Sequence, residues 1–448
     1  MRVSVLAVAL GATFGALVSL QPIDDSDLFW HVATGRPTLD LVLLRTDAFS
    51  WTVAGAPVLT DQWLGDAVLA AAQAVGDWRG VLALRVLAVA VLVTIVVDTA
   101  MTARPGRPIV AVAAAVPAIA LSRFAWTDRP ELLGLVCFAL LVRWLRGGDR
   151  ELLLAIPLLL VWTQLHGSYA LGLALVLASC AARAMTEPRD RWRFAPIAAA
   201  AVVATLIGPS GLASWTSSGG HFLAPPRFIE EEGVPDTSTL AGVLFVGTLG
   251  IVIATALLAR RRVSLRDLPL LVPVAFVALT AARHTPLLAV AAVPFLAERF
   301  PDPLARWRTE TSAAWHGRVG VMLAAIAVLV LSIGLANGRV DESRYPRGAL
   351  AAIVGGAGLF NRYEWGGWLI YAAPQTPVFI DGRLFPYVPK VLDDYRAILG
   401  AHPDWEAVAD RWGVREMLVR PGDPIAVRAP ERGWRVAYAD AIAVVLIK

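Results

Sequence analysis

The chain has 448 residues, of which 57% are hydrophobic and only 17% are charged, whereas soluble domains carry about 25% charged residues. Long apolar segments recur from the N-terminus to about residue 337, which excludes an ordinary soluble enzyme and predicts a polytopic membrane protein. The net charge of +4 comes mostly from arginines in short loops, so it indicates membrane topology and gives no reason to expect a nucleic-acid partner.

Apolar segments of sufficient length predict about eleven transmembrane helices, at residues 3–20, 80–101, 108–122, 131–146, 151–164, 168–186, 194–208, 239–259, 268–282, 285–299 and 319–337. The first segment lacks a small-x-small cleavage site, so we expect an uncleaved signal anchor. Arginines cluster in alternate loops, for example Arg104 and Arg107 after the second segment. By the positive-inside rule the N-terminus is cytoplasmic and the C-terminal residues are extracytoplasmic. We expect a plasma (inner) membrane protein.

The long first outer loop, residues 21–79, opens with the acidic turn Asp24-Asp25-Ser26-Asp27. The residues after it predict a short helix from 29, an extended segment at 48–53 and an amphipathic helix at 62–75. Its four tryptophans are typical of a chain that lies at the level of the lipid headgroups.

The predicted topology gathers unusual polar residues at the outer face. In addition to the acidic turn these are Asp47, Asp61, Arg129, His166, Glu230, Glu231, Glu232, Arg283 and His284. Asp25 and Asp27 are the candidates for catalysis, because a carboxylate beside an apolar surface can take a proton from an acceptor hydroxyl. Carboxylates also bind Mg²⁺ or Mn²⁺, so a divalent metal at Asp25 and Asp27 stays open. The alternative is a helix cap with solvated loop charge.

Arg129, His166, Arg283 and His284 are candidates for binding the phosphate of a donor, because arginine donates to phosphate oxygens in a bidentate way. Each also has a simpler explanation. Arginines at the end of a span extend to lipid headgroups, and a histidine at the end of an apolar run is commonly satisfied within the core. Asp47 and Asp61 are either supporting acids or turn residues.

From about residue 340 the composition changes to that of a small α/β domain, with strands predicted at 368–371, 377–381, 416–419 and 441–447 and helices within 388–411. We therefore expect a transmembrane domain at 1–339 and an extracytoplasmic domain at 340–448. Asp381-Gly382-Arg383 is typical of a turn after a strand. With the aromatic residues at 361–368 it also forms a candidate acceptor contact.

The chain resembles the GT-C superfamily of glycosyltransferases that use polyprenyl-phosphate sugars, and more closely a mostly uncharacterised bacterial group of related membrane proteins. The resemblance covers nearly the whole chain and rests on residues 25–35, 46–50, 61–64, 165–167 and 378–383. It implies a GT-C-like transmembrane domain and an inverting hexosyl or pentosyl transfer to an acceptor hydroxyl on the outer face. Asp27 or Asp25 matches the catalytic acid of the superfamily, and we prefer Asp27.

Further candidates, for contact with the acceptor or for support of the catalytic acids, are Trp30, His31, Trp63, Asp47, Asp61, Asp381 and Arg383. The partners that the resemblance implies are a polyprenyl-phosphate sugar, membrane lipid and a glycan, lipid or protein acceptor. The C-terminal residues lack the acceptor-peptide motif of oligosaccharyltransferases, which argues against protein N-glycosylation.

Two other functions stay open. A transporter or lipid flippase should place ionisable residues near the middle of its spans or break its helices there, whereas these segments are nearly free of charge. A non-catalytic scaffold of the same fold is not distinguished from an enzyme by the sequence.

Overall fold

The computed structural model describes residues 2–59, 61–223, 233–259, 263–302, 330–356 and 358–448. The chain forms two compact units. We call residues 1–21 with 82–338 the helical unit, and residues 22–81 with 339–448 the mixed unit. The change of unit at 338/339 lies next to the predicted boundary. Residues 22–81, expected as a loop of the transmembrane domain, instead pack with the C-terminal residues, because backbone bridges join Ile23 to Val340 and Ser50 to Val378.

Helices occupy the positions of the first ten predicted spans. Their bounds are Arg2–Val18 (α1), Trp63–Ala103 (α3), Pro108–Ser122 (α4), Pro130–Leu145 (α5), Asp149–Leu165 (α6), Tyr169–Thr186 (α7), Phe194–Leu206 (α8), Leu240–Leu258 (α10), Leu268–Thr280 (α11) and Thr285–Arg299 (α12). A further helix, Leu212–Leu223 (α9), forms in a region expected to be a loop. The eleventh predicted span lies mostly outside the described residues, as do Glu230, Glu231 and Glu232.

Four segments in the described part of the chain are long and apolar enough to cross a membrane: Trp63–Ala103, Pro108–Ala125, Tyr169–Thr186 and Leu240–Leu258. The helical unit is therefore that of a multi-pass membrane protein, and the number of eleven crossings stays a prediction.

Helix α3 is interrupted at Asp77, whose backbone has φ 51° and ψ −149°. A positive φ is unusual for an aspartate and breaks the run of helical hydrogen bonds. The kink separates the predicted amphipathic helix at 62–75 from the predicted span at 80–101. The mixed unit ends four residues later, at Val81.

Small side chains form the core of the helical unit where α4 and α12 pack together. Ala111, Ala114, Ala115 and Ala118 are fully buried on one helix, and Ala289, Ala291 and Ala292 are buried on the other. Small residues let two helices approach closely, which is how helices associate in a bilayer that offers no hydrophobic driving force.

The mixed unit contains a four-stranded sheet in the order β1-β2-β4-β3. The strands are Leu359–Asn361 (β1), Glu416–Val419 (β2), Arg435–Ala439 (β3) and Val444–Ile447 (β4). Strands β1 and β2 are parallel, with Phe360 opposite Met417. The β2–β4 and β3–β4 pairs are antiparallel. The predicted strands at 416–419 and 441–447 are confirmed, whereas β1 and β3 were not predicted.

The helices of the mixed unit are Asp27–Leu39 (α2), the first half of α3, Tyr363–Ala372 (α13), Lys390–Leu399 (α14), Trp405–Trp412 (α15) and Pro424–Glu431 (α16). The helix predicted after the acidic turn and the helices predicted within 388–411 are confirmed. Residues 48–53, expected to be extended, form a bridge at Ser50 only.

The strand predicted at 368–371 is wrong, since these residues belong to helix α13. The reason lies in Gly366 and Gly367. A side chain at Gly366 would overlap the carbonyl oxygen of Ile380, and one at Gly367 would lie 2.6 Å from the carbonyl oxygen of Ser26. This glycine pair lets a helix pack closely against two backbone segments, and the aromatic run around it does not reveal that contact.

The strand predicted at 377–381 is also wrong. Phe379 N–H donates to the side-chain oxygen of Asn361 at 2.7 Å, and the side-chain nitrogen of Asn361 donates to the carbonyl oxygen of Ile380 at 2.8 Å. A buried amide side chain therefore takes the hydrogen bonds that a neighbouring strand would otherwise make.

Candidate functional site

Asp27, the last residue of the acidic turn, is the first residue of α2. Its backbone N–H donates to Asp25 Oδ1 at 3.0 Å. Asp25 thus satisfies one of the free N–H groups at the start of the helix, which is the capping alternative considered for this turn. Both carboxylates are half-buried. Asp25 therefore makes a contact that supports the helix, and Asp27 stays the predicted base.

A second segment of the mixed unit lies against Asp27. A methyl group in place of the Gly382 hydrogen would overlap Asp27 Oδ1 and would lie 3.1 Å from Trp30 Nε1. The Asp381-Gly382-Arg383 turn, Asp27 and Trp30 are therefore brought together, although the turn is separated from the two by about 350 residues of sequence. Only glycine allows this approach of backbone to carboxylate.

Ion pairs hold the turn in place. Arg383 donates from Nε to Asp381 Oδ1 at 2.8 Å and from a terminal nitrogen to Asp381 Oδ2 at 2.6 Å, and its other terminal nitrogen pairs with Asp47. Tyr387 donates to Asp381 Oδ2 at 2.6 Å, and Ser50 Oγ donates to Asp47 at 2.6 Å. Asp47 and Asp381 are almost completely buried. Asp47, Asp381 and Arg383, predicted as acceptor contacts or as support for the catalytic acids, thus form one buried network.

The pKa values in this network follow from burial and charge. Burial by itself lowers the pKa of Arg383, but the charge and hydrogen bonds of Asp381 outweigh it, so the pKa lies above its usual range. Burial raises the pKa of the Tyr387 hydroxyl, and the charge of Asp381 raises it further. At neutral pH the guanidinium is charged and the phenol is a neutral donor.

Trp30 and His31 stand beside Asp27 on α2. His31 Nδ1 is 2.7 Å from Asp66 Oδ1, and both side chains are only 4% exposed. The rings of His31 and Trp30 are in contact, with centroids 3.6 Å apart and planes tilted by 31°. The predicted residues Asp61 and Trp63 are half-buried at the start of α3, the helix that carries Asp66. The pair with Asp66 therefore fixes His31 and supports the indole ring.

The pKa of Tyr345 reflects its burial and the negative charge of the acidic turn. Burial raises the pKa of its hydroxyl, and the charge of Asp25 and, more weakly, those of Asp24 and Asp27 raise it further, while Arg344 lowers it. The Tyr345 hydroxyl therefore faces a region of negative potential, which opposes its ionisation.

In the helical unit, three of the predicted phosphate-binding residues lie around the first turns of α5. Arg129 directly precedes the helix. Arg283 Nε is 4.0 Å from Glu131 Oε1. A side chain at Gly134 would lie 3.1 Å from His166 Nδ1, and that nitrogen is 2.9 Å from Ser168 Oγ. The fourth residue, His284, is buried in the 3₁₀ turn Ala282–His284.

Sequence reasoning missed Arg85, which is 6% exposed in α3. Its Nε donates to the carbonyl oxygen of Ser19 at 3.1 Å, and a terminal nitrogen donates to Asp128 Oδ2 at 2.6 Å. The signal that could have found it is a lone arginine inside an apolar run, because a charged side chain is costly in a membrane and is usually paired. Arg85 joins the end of α1 to the residue before Arg129.

A divalent metal at Asp25 and Asp27 stays a prediction. Across the part of the chain that the structure describes, no group of three or more His, Cys, Asp or Glu side chains could hold a metal ion. No step proposed below uses a metal.

Neither the family models nor the curated proteins contain a match to this sequence. Among solved structures, the apo oligosaccharyltransferase of Archaeoglobus fulgidus matches 94% of this chain and 69% of its own, with a TM-score of 0.58 at 11% identity. The oligosaccharyltransferase AglB of the same organism, in complex with an inhibitory peptide and a dolichol-phosphate, matches 92% of this chain and 69% of its own, with a TM-score of 0.54 at 11% identity. The chain therefore shares the fold of these solved structures, and its apolar helices are those of a multi-pass membrane protein.

Proposed function

We propose that the protein is a GT-C glycosyltransferase that transfers a hexosyl or pentosyl group from a polyprenyl-phosphate donor to a hydroxyl of a glycan, lipid or protein acceptor. The observation that carries the proposal is the position of Asp27, a half-buried carboxylate at the start of α2 that is enclosed by the Gly382 turn. The dolichol-phosphate bound to a protein of the same fold supports a polyprenyl-phosphate donor.

In the reaction we propose, Asp27 takes the proton of the acceptor hydroxyl as its oxygen attacks the anomeric carbon of the donor. The bond between that carbon and the phosphate oxygen breaks, and polyprenyl phosphate leaves with the electron pair. A single displacement of this kind inverts the configuration at the anomeric carbon. Asp25 is the weaker candidate for the base, because its carboxylate already accepts the Asp27 backbone N–H.

We assign binding of the donor phosphate to Arg129, His166 and Arg283, with His284 in support. The geometry around the start of α5 favours this assignment, because a helix N-terminus and arginine side chains both stabilise an anion. Glu131, at 4.0 Å from Arg283, balances that charge until a phosphate binds.

The proposal is tested by incubating the full chain in lipid nanodiscs with synthetic polyprenyl-phosphate hexoses and pentoses and with methyl glycosides as acceptors. Asp27→Asn should lower the rate of transfer by about 10²–10⁴-fold, as expected for loss of a general base. Asp25→Asn should have a smaller effect, and the exposed Asp24→Asn is the matched control. Equal rates for Asp27→Asn and the wild type would overturn the mechanism.

A further inference from the structure

Trp30 carries a buried donor that the fold does not use. The residue is 8% exposed, and its Nε1 has no hydrogen-bond partner among the residues that the structure describes. Other tryptophans of the mixed unit are paired: Trp51 Nε1 donates to the carbonyl oxygen of Leu359 at 3.0 Å, and Trp365 Nε1 donates to that of Arg344 at 3.1 Å. Buried polar groups are almost always bonded, so an exception calls for a functional explanation.

The indole nitrogen and the candidate base converge on one point. The position that a Gly382 side chain would take overlaps Asp27 Oδ1 and is 3.1 Å from Trp30 Nε1. The two atoms are thus close enough for one oxygen atom to contact both, given hydrogen-bond lengths of about 2.7–3.0 Å. One atom is an acceptor and the other is a donor.

Both groups are held by buried contacts. The indole ring packs against the imidazole of His31, which pairs with Asp66 at 2.7 Å. The Gly382 turn is held by the Arg383 ion pairs with Asp381 and Asp47. Such support restricts both side chains to one geometry before a ligand arrives, which is the condition for precise positioning.

We propose that Trp30 Nε1–H and Asp27 Oδ1 form a two-point subsite for a single acceptor hydroxyl, an inference that rests on the proposed function. The oxygen accepts a hydrogen bond from the indole N–H and donates its own proton to Asp27. The remaining lone pair is then directed at the anomeric carbon. An indole N–H is a donor only, so Trp30 orients the hydroxyl without exchanging a proton with it.

The subsite also selects the class of acceptor. A hydroxyl both donates and accepts, and it satisfies both groups. A protonated amine has no lone pair for Trp30, and the nitrogen of a carboxamide is a donor only. The geometry therefore favours transfer to alcohols, such as the hydroxyls of a glycan, over transfer to the nitrogen of an asparagine side chain.

Trp30→Phe tests the subsite, because it keeps the aromatic ring and removes only the N–H. In the nanodisc assay it should raise the KM for methyl glycosides about 3- to 10-fold, the effect of one lost hydrogen bond. Its melting temperature should equal or exceed that of the wild type, since no bond within the protein is lost. Trp51→Phe is the matched control. It removes a bonded N–H, so it should melt at a lower temperature and keep the wild-type KM.

A binding measurement separates this subsite from the proposed function. The protein is labelled with ¹⁵N at the indole nitrogens, and the Trp30 signal is identified by its absence in Trp30→Phe. Methyl glycosides should shift the Trp30 signal and leave the Trp51 signal in place. A shift without sugar transfer would support the subsite and remove the proposed function. Transfer that depends on Asp27 with no Trp30 shift, or with a wild-type KM in Trp30→Phe, would remove the subsite alone.

Discussion

Asp27 and Gly382 are in such close contact that any side chain at position 382 would overlap the Asp27 carboxylate. Asp27 begins a helix near the N-terminus. Gly382 lies in a turn of the C-terminal segment, between the ion-paired Asp381 and Arg383. The position of the candidate base is therefore set by a glycine from the far end of the sequence.

Gly382→Ala should displace the Asp27 carboxylate and lower sugar transfer by about 10²-fold, since a misplacement of about 1 Å has effects of this size. The rate is measured in nanodiscs with the donor that the wild type uses. Gly422→Ala is the control, because its methyl group would meet nothing within 4 Å. A Gly382→Ala protein with full activity would show that Asp27 is not the base.

Asp47→Asn should destabilise the mixed unit by about 3–5 kcal/mol, because it leaves the buried Arg383 guanidinium with one charged partner fewer. Unfolding by denaturant, followed by tryptophan fluorescence, measures the loss. The exposed pair Arg428 and Glu431 offers the control, since Glu431→Gln should have an effect of less than about 1 kcal/mol. Equal stabilities of the two variants would contradict the importance of the network.

The raised pKa of Tyr387 predicts that the protein loses stability at alkaline pH. Burial and then the charge of Asp381 raise the folded-state pKa of its hydroxyl above the unfolded value of about 10. The stabilisation is therefore complete below pH ~10 and is lost as the pH rises towards the folded-state pKa. Tyr387→Phe should weaken the fall of the melting temperature above pH ~10. An unchanged profile in this variant would refute the assignment.

Arg85→Met should destabilise the helical unit by about 3–5 kcal/mol, because Asp128 would remain buried without its charged partner. Thermal unfolding in nanodiscs measures the change. Arg123→Met, at an exposed arginine after α4, is the control and should melt close to the wild type. Donor binding should also weaken in Arg85→Met, because Asp128 directly precedes Arg129.

A reporter enzyme that is active only outside the cytoplasm should be active when fused after Lys448. The prediction follows from the alternation of arginine-rich loops and from an odd number of spans. A fusion after Gly106, in a loop predicted to be cytoplasmic, should be inactive and serves as the control. The opposite result for the two fusions would invert the topology.

Local patterns in the sequence predicted most of the helices. The ends of α4, α5, α7, α8 and α12 agree with the apolar segments to within a few residues, since the length of an apolar run and its flanking arginines are local properties. The strand predicted at 368–371 was wrong because its conformation depends on a contact that is not local. Gly366 and Gly367 serve a contact with distant backbone, and no local pattern records that contact.

In the candidate site, too, the local features were predicted and the contacts between distant segments were not. The acidic turn was found because three carboxylates after an apolar run are locally conspicuous. The ion pairs near this turn were not predicted, because Asp66 pairs with His31 across 35 residues and Arg383 pairs with Asp47 across 336. Pairings over such distances depend on how the chain closes on itself.

The sequence by itself determined that the chain is a membrane protein, where most helices of the helical unit lie, and which acidic residues stand at the start of α2. Only the tertiary structure decided that Gly382 covers Asp27, that Trp30 retains an unused donor beside it, and that residues 22–81 pack with the C-terminal segment. The physical reason is range: hydrophobic length and loop charge act along the chain, whereas close packing and buried ion pairs act between segments remote in sequence.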